Sequence, residues 1–326
     1  MIRARITGTG SFAPDKVVTN FDLEKILDTN DEWIRTRTGI VERHLVVEGE
    51  NTSDLATKAA LRALEMAGVA PADLDLIVVG TITGDYPWPA TACLVQHNLG
   101  AVNAGAYDVS AACSGFLYAL AAGTDRIRAG SARKVLVIGA EVFSRIVDWN
   151  DRNTCVLFGD GAGAVVLEAC EGDHGILSTH LYADGSQAEL LCQPGFGTKI
   201  TPSVEGIARG DHFLKMQGNE VFKVAVRNMA EVARIALEAN GMTTADVNLF
   251  IPHQANVRIL DATAKRIGLR DDQVYVNVDR FGNTSAATIP IALDEVVRAG
   301  RLKEGDILLL DAFGGGFTWA AALVRW

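Results

Sequence analysis

The sequence predicts an α/β fold made of two duplicated halves, with two buried helices at the centre between the sheets. One observation is an internal repeat: residues 63–77 recur as 236–250, with Ala, Leu, Glu, Gly, Ala, Asp and Leu in register. A second is a pair of long, nearly all-apolar helices predicted over 114–128 and 284–298. A helix that is apolar on all sides is buried, and fixed self-similarity indicates a duplication.

Length and composition bound the fold and the partners. The 326 residues exceed the usual size of one core, and we predict two halves, residues 1–172 and 173–326. The formal charge of -10 argues against non-specific nucleic-acid binding, which needs Lys and Arg to displace counterions. No apolar run reaches the roughly 18 residues of a membrane span. The five cysteines form no CxxC pair, so we expect no metal site, no membrane association and a cytoplasmic location.

The first half begins with alternating strand and helix signals. Residues 2–7 alternate like a strand, and capped helices are predicted over 21–27 and 29–39. Apolar residues at helical spacing over 52–67 predict a further helix, and 74–79 is typical of a buried strand. These elements form one α/β unit.

Glycine-rich segments separate the remaining elements. Residues 171–215 are rich in Gly, Pro and polar side chains and predict an insertion, a linker or a lid. Two glycine runs, 158–163 and 313–317, lie between apolar strands and predict tight hairpins. The alternative is that their backbone N–H groups approach a substrate closely.

Cys113 lies between a short apolar strand and the first of the two buried helices. The unpaired N–H groups and positive dipole of a helix N-terminus stabilise a thiolate, so we expect a lowered thiol pKa and a nucleophile. A single cysteine is more often a packed apolar residue, and its surroundings must decide. The duplication places Asn283 at the equivalent start of the second helix, and we expect both residues to face one central cavity.

His253 ends an apolar strand just before a helix predicted over 255–267. Ligands and catalytic groups in α/β proteins gather at the carboxyl ends of strands, and this end lies on the side where Cys113 and Asn283 emerge. Four basic residues follow: Arg258, Lys265, Arg266 and Arg270. They indicate either a docking patch for an anionic partner or a solvated helix face.

Four motifs together resemble the β-ketoacyl-acyl carrier protein synthase III family of condensing enzymes. They are Ala-Ala-Cys113-Ser-Gly-Phe, Pro-His253-Gln-Ala-Asn, Gly-Asn283-Thr-Ser-Ala-Ala and Phe313-Gly-Gly-Gly-Phe-Thr-Trp319. Segments 31–39 and 217–223 resemble further parts of the family, so the resemblance covers essentially the whole chain. It implies a thiolase-like fold with layers αβαβα and a homodimer.

The resemblance implies a reaction that initiates fatty acid synthesis. Cys113 attacks the thioester of acetyl-CoA or another short acyl-CoA and carries the acyl group. Malonyl-acyl carrier protein then loses CO₂, and N–H donors of His253 and Asn283 hold the enolate. The backbone N–H groups of Cys113 and Gly315 hold the thioester carbonyl, and Phe313 excludes water. No cofactor is implied beyond these substrates.

The resemblance also implies binding residues. Trp33 and Arg152 sandwich the adenine of CoA, and Arg37 faces its phosphates. Gly218 and Asn256 line the pantetheine tunnel. The basic surface that meets the acidic carrier protein consists of Lys223, Arg258, Lys265 and Arg266.

Trp88 departs from the commonest family pattern. It lies between Pro87 and Pro89, where many members have Phe before a proline at the dimer-facing acyl pocket. Because an indole is larger than a phenyl ring, we expect a short primer.

Alternatives from other functional classes also fit some of these residues. A specialised starter or ester-forming synthase of secondary metabolism keeps Cys, His and Asn. A Cys-His hydrolase predicts net thioester hydrolysis, and a non-enzymatic scaffold predicts no acylation. Thiolases and elongating synthases use a second histidine where Asn283 stands, which argues against both.

Overall fold

Helices and strands alternate along residues 2–326, the part of the chain that the computed structural model describes. The strands are β1 (Ile2–Phe12), β2 (Lys16–Thr19), β3 (Glu42–Leu45), β4 (Leu76–Gly80), β5 (Gly105–Val109), β6 (Lys134–Val142), β7 (Asp160–Glu171), β8 (Gly175–Ala183), β9 (Leu191–Cys192), β10 (Lys215–Met216), β11 (Leu249–Pro252), β12 (Ile307–Gly314) and β13 (Thr318–Arg325). The α-helices are α1 (Asn20–Leu23), α2 (Asp31–Thr38), α3 (Thr52–Ala67), α4 (Thr91–Leu99), α5 (Gly115–Arg128), α6 (Val204–Ala208), α7 (Gly218–Glu238), α8 (Val257–Ile267), α9 (Val278–Phe281) and α10 (Thr288–Arg298). Short 3₁₀ turns, Ala112–Ser114 and Ser285–Ala287, precede α5 and α10.

Two sheets repeat one strand order. The first sheet has the order β1-β7-β6-β4-β5 and the second β11-β12-β13-β8. Val274 adds a parallel bridge to Phe250 of β11, in the place that β5 takes beside β4. We number the strands of each half in chain order and count the bridge at Val274 as the third strand of the second half. Read from β1 and from β8, respectively, both sheets then have the order first, fifth, fourth, second, third. The duplication read from the sequence is therefore visible in the topology, and the predicted boundary after residue 172 lies in the connection from β7 to β8.

The two central helices lie between the sheets. One core cluster joins Leu120 of α5 and Leu293 of α10 to Val137 of the first sheet and Leu310 of the second. Further clusters join α3 and α4 to the outer face of the first sheet, and α7 and α8 to the outer face of the second. Each fully buried Leu or Val contributes about 1.5–3 kcal/mol. The layers are αβαβα, as the family resemblance implies.

The glycine run 158–163 enters β7, so the predicted hairpin there is wrong. A Cβ on Gly163 would lie 2.6 Å from the carbonyl carbon of Pro290 in α10. Glycine is required because the helix backbone lies directly on the strand. The second run does form a hairpin, since β12 and β13 pair antiparallel across it and Gly316 has a φ of 143°.

Some predicted elements differ from the observed ones. Within the predicted insertion 171–215, β8 pairs with β13 and completes the second sheet. Most of β8 is half-buried or exposed, so its apolar alternation is weak. The helix after His253 begins at Val257 and not at the predicted residue 255, and α1 ends at Leu23 and not at the predicted residue 27.

No helix within residues 2–326 is long and apolar enough to cross a membrane.

Candidate active site

A cavity of about 750 Å³ brings most of the predicted site residues together. The predicted residues that line it are Trp33, Arg37, Cys113, Gly218, Lys223, His253, Asn256, Arg258, Asn283, Phe313 and Gly315. Four predicted residues do not line it: Arg152, Lys265, Arg266 and Trp88. The segments that lead into both central helices thus reach one cavity.

The nucleophile candidate is held in the 3₁₀ turn before α5. Thr318 Oγ1 donates to the carbonyl of Ala111 at 2.9 Å, and Ser114 Oγ donates to the carbonyl of Thr318 at 3.1 Å. A Cβ on Gly314 would lie 2.6 Å from the backbone nitrogen of Cys113. The β12–β13 hairpin therefore fixes the backbone on which Cys113 sits.

The thiol pKa of Cys113 moves in the direction opposite to the expectation. Burial raises this pKa to about 12, although a hydrogen bond from Ser285 lowers it; the nearby Glu141 carboxylate raises it further. Cys113 is 8% exposed, so water does not solvate a thiolate there. The resting cysteine is therefore a thiol at neutral pH, because the helix N-terminus alone does not offset the effect of burial on its pKa.

His253 follows β11 directly. Its backbone N–H donates to the carbonyl of Asp311 at 2.7 Å, and its Nδ1 lies 2.8 Å from Thr288 Oγ1. Burial lowers the His253 pKa to about 3. The imidazole is therefore neutral at physiological pH, with Nε2 left for a ligand.

Asn283 presents its amide nitrogen to the cavity. Its Oδ1 accepts from the N–H of Ser285 at 2.8 Å, so the donor end of the carboxamide remains free for a ligand. The backbone N–H of Asn283 donates to the carbonyl of Leu157 at 2.8 Å. Asn283 and His253 thus provide two neutral donors in one buried site.

The equivalence of Cys113 and Asn283 needs a correction. The left-handed residues of the two turns are Ala112 (φ 45°) and Ser285 (φ 51°). By that geometry Cys113 corresponds to Ala286, and Asn283 lies before the turn. The sequence comparison was shifted because α10 has 11 residues and α5 has 14. Cys113 and Asn283 face one cavity, but from non-equivalent positions.

Three of the predicted CoA residues lie together around one indole ring. Trp33 lies on α2, and the guanidinium carbons of Arg37 and Arg152 lie 4.5 Å and 5.2 Å from its ring centroid. Arg152 also donates to the carbonyl of Asp28. Arg152 therefore reaches the predicted site through Trp33 while lying outside the cavity wall.

The other predicted surface residues divide into two groups. Lys223 and Arg258 line the cavity, whereas Lys265 and Arg266 lie in the last turn of α8. Trp88 is 84% exposed and lies outside the cavity of the single chain. Its part in an acyl pocket stays a prediction.

Three buried polar residues at the site escaped the sequence analysis: Glu141, Ser285 and Thr288. Glu141 carried a usable signal, because it is the charged residue that follows the otherwise apolar run 135–140. Ser285 and Thr288 lie close to Asn283 in sequence and carried no separate signal.

Comparisons with known proteins identify relatives of the whole chain. Residues 107–185 match the family model described as 3-oxoacyl-acyl-carrier-protein (ACP) synthase III, and residues 237–326 match the model of its C-terminal part. The β-ketoacyl-acyl-carrier-protein synthase III of Xanthomonas campestris is 58% identical over 100% of this chain and 99% of its own length.

Solved structures share the fold. The crystal structure of 3-oxoacyl-acyl-carrier-protein synthase III from Aquifex aeolicus is 50% identical, with a TM-score of 0.92 over 99% of this chain and 100% of the other. The priming β-ketosynthase of the R1128 polyketide biosynthetic pathway is 37% identical, with a TM-score of 0.91 over 98% and 95%.

Proposed function

The chain belongs to the 3-oxoacyl-acyl-carrier-protein synthase III family of thiolase-like condensing acyltransferases, and we propose that it joins a short acyl-CoA to malonyl-acyl carrier protein. The product is a 3-ketoacyl-acyl carrier protein, and acetyl-CoA is the proposed primer. The observation that carries the proposal is that Cys113, His253 and Asn283 line one cavity.

Acylation comes first. Cys113 attacks the thioester carbonyl, CoA leaves as its thiol, and the acyl group remains on the sulfur. We assign the backbone N–H groups of Cys113 and Gly315 to the developing oxyanion. Phe313 is 4% exposed and packs against Phe317 with ring centroids 4.8 Å apart, which supports its role in keeping water from the acyl-enzyme.

Decarboxylation and condensation follow. Malonyl-acyl carrier protein loses CO₂, and its enolate attacks the acyl group on Cys113. The enolate oxygen needs neutral donors in a dry site, and the amide of Asn283 and Nε2–H of His253 supply them. The Thr288 hydroxyl lies 2.8 Å from Nδ1 of His253 and 3.0 Å from the carbonyl of Ser285, so His253 carries its proton on Nε2 when this hydroxyl turns from the carbonyl and donates to Nδ1.

The remaining predicted residues bind the two substrates. Trp33, Arg37 and Arg152 take the nucleotide of CoA, and Gly218 and Asn256 take its pantetheine arm. The acidic carrier protein meets the basic residues Lys223, Arg258, Lys265 and Arg266. Thioester chemistry needs no metal or organic cofactor.

We further propose a cytoplasmic homodimer. The edge strand β5 ends the first sheet, Tyr107 on it is an exposed apolar residue, and so is Trp88 in the connection from β4 to α4. Pairing with a second copy would cover this edge. Light scattering of the purified protein tests the dimer, and cell fractionation tests the location.

The experiment incubates the protein with acetyl-CoA and malonyl-acyl carrier protein and reads the product mass. We expect acetoacetyl-acyl carrier protein from the wild type. Cys113→Ser abolishes acylation, whereas His253→Ala and Asn283→Ala keep acylation and lose decarboxylation. His97→Ala and Asn98→Ala, both on α4 outside the cavity, are the matched controls. Complete loss of acylation in His253→Ala would contradict this division of roles.

A second candidate function is supported by one comparison. The similarity to a priming β-ketosynthase of a polyketide pathway favours a specialised starter synthase. Competition among acyl-CoAs of different length separates the two, because a starter synthase prefers a primer other than acetyl-CoA.

A further inference from the structure

Arg43 is a buried charged residue that the proposed function does not use. It lies on β3 and is 0% exposed. Arginine keeps its positive charge in proteins, and burial of a charge is costly unless hydrogen bonds compensate it. All three hydrogen bonds that its guanidinium makes within residues 2–326 go to neutral oxygens. The arrangement therefore differs from an ion pair and needs an explanation of its own.

The guanidinium of Arg43 joins three segments of the chain. Nη1 donates to the carbonyl of Val18 on β2 at 3.2 Å and to Oδ1 of Asn20 at the start of α1 at 2.9 Å. Nη2 donates to the carbonyl of Val156 at 2.8 Å. A guanidinium has five N–H donors in a rigid planar fork, so it can hold several acceptors in fixed positions. Arg43 therefore fixes the segment 156–159, which leads into β7, against β2 and α1.

The same segment holds the backbone of Asn283 on both sides. The N–H of Asn283 donates to the carbonyl of Leu157 at 2.8 Å, and the N–H of Gly159 donates to the carbonyl of Asn283 at 3.1 Å. These two bonds make a parallel bridge between Phe158 and Asn283. The position of Asn283 in the cavity therefore depends on this segment as well as on the turn that follows it.

The first part of the Arg43 side chain packs against this bridge. A Cβ on Gly159 would lie 3.2 Å from the Cβ of Arg43, and a Cβ on Gly282 would lie 3.4 Å from it. Gly282 directly precedes Asn283 and has a φ of 63°, which favours glycine. Arg43 thus lies beside both strands of the bridge while its guanidinium holds the carbonyl of Val156.

The backbone of Cys113 is held by different contacts. They come from the β12–β13 hairpin, through Thr318 and the close approach of Gly314. None of the groups that accept hydrogen bonds from Arg43 belongs to that hairpin. Loss of the Arg43 guanidinium should therefore move Asn283 and leave Cys113 in place.

We propose that Arg43 is a positioning residue for Asn283 in the condensation step. The amide of Asn283 stabilises the enolate only at hydrogen-bond distance from its oxygen, so a small displacement weakens this donor. Arg43 acts through the segment 156–159 and touches neither substrate. The inference rests on the proposed function, because it takes Asn283 to be an enolate donor.

The test compares Arg43→Met and Arg43→Lys with the wild type in the two half-reactions. Methionine keeps an unbranched stem without the three donated bonds, whereas lysine keeps the charge without the planar fork. Acylation of Cys113 is followed by protein mass at saturating acetyl-CoA, because Asn20 also donates to Asp31 at the start of α2 and a change in CoA binding must not enter the rate. Condensation is followed from the preacylated enzyme as acetoacetyl-acyl carrier protein.

We expect a selective loss of condensation. Removal of an oxyanion donor slows a reaction about 10²- to 10³-fold, and Arg43→Met, which displaces the donor, should slow condensation about 10- to 100-fold. Acylation should stay within about threefold of the wild type. Arg43→Lys should lie between Arg43→Met and the wild type in condensation.

A double variant separates positioning from general support of the fold. Asn283→Ala has no amide to position, so adding Arg43→Met to it should slow condensation no more than about twofold further. Arg128→Met is the matched control, because Arg128 in the last turn of α5 also donates to backbone carbonyls, those of Ile176 and Leu177, and lies outside the cavity wall. It should keep both rates. All rates are expressed per folded protein, measured by circular dichroism, and Arg43→Lys takes the place of Arg43→Met throughout if the latter does not fold.

The proposed function and the inference fail differently. If the wild type takes no acetyl group or forms no acetoacetyl-acyl carrier protein, the proposed function fails. If the wild type does both, the inference is overturned by unchanged condensation in the Arg43 variants, by a parallel loss of acylation and condensation, or by a full additional loss in the double variant.

Discussion

Replacing Thr288 by Val tests how the site sets the proton of His253. The hydroxyl of Thr288 lies 2.8 Å from Nδ1 of His253, and both residues are 3% exposed. Valine has nearly the same shape and lacks the hydroxyl, so the buried Nδ1 loses its partner. Leaving a buried nitrogen unpaired costs about 1–3 kcal/mol.

That cost falls on the step that needs Nε2–H. A loss of about 1–3 kcal/mol slows that step by a factor of about 5 to 150. Removing an oxyanion donor altogether costs about 2.7–4 kcal/mol, so Thr288→Val should remain more active than His253→Ala. Acylation of Cys113 does not use this donor and should stay within about twofold of the wild type.

The assay separates the two steps. The acetyl adduct on Cys113 is followed by mass, and condensation is followed as acetoacetyl-acyl carrier protein formed from the preacylated enzyme. Thr288→Ser is the matched control, because it keeps the hydroxyl and should keep both rates. Equal condensation in Thr288→Val and the wild type would refute the reasoning, and so would a parallel loss of acylation and condensation.

Three further predictions concern packing, CoA and the carrier protein. Gly163→Ala places a Cβ 2.6 Å from the carbonyl carbon of Pro290 and should lower the free energy of unfolding by about 1–3 kcal/mol, whereas Gly185→Ala, with nothing within 4 Å, should leave it unchanged in denaturant titrations. Trp33→Ala should raise KM for acetyl-CoA about tenfold with little effect on kcat, since the proposed contact of the ring is with the nucleotide and not with the reacting thioester. A fall in kcat alone would contradict that role. Arg258→Glu should raise KM for malonyl-acyl carrier protein about tenfold in low salt, whereas Arg133→Glu, at an exposed control position, should not change it. The difference in KM between the two variants should shrink as salt is added. An equal effect of both variants would argue against a docking surface at Arg258.

The pattern of long apolar helices and the internal repeat were enough to predict two duplicated halves with buried helices at the centre, while the full set of layers was implied by the family resemblance. Apolar periodicity reports which faces are buried, and the two helices apolar on all sides had to lie between sheets. β8 escaped because its half-exposed polar residues carry little alternation. The prediction of a hairpin at 158–163 was wrong because these glycines allow α10 to pack closely against β7. In sequence they look the same as glycines in a tight turn.

The site was predicted in its residues more fully than in its electrostatics. His253 was found because the end of an apolar strand is visible in sequence. The thiol pKa of Cys113 was predicted in the wrong direction, because burial depends on contacts with β12, β13 and Ser285 that are distant in sequence. Glu141 shows the same limit: a charge in an apolar strand is visible, but its hydrogen bond to Ser285 exists only in the fold.

The central claim is that Cys113 carries the acyl group between the two substrates. The most direct measurement is peptide mass analysis of the wild type and Cys113→Ser after acetyl-CoA, followed by addition of malonyl-acyl carrier protein. We predict a labile acetyl group on the peptide that contains Cys113, its disappearance as acetoacetyl-acyl carrier protein forms, and neither event in Cys113→Ser. An acetyl group on another residue, or condensation by Cys113→Ser at the wild-type rate, would contradict the account.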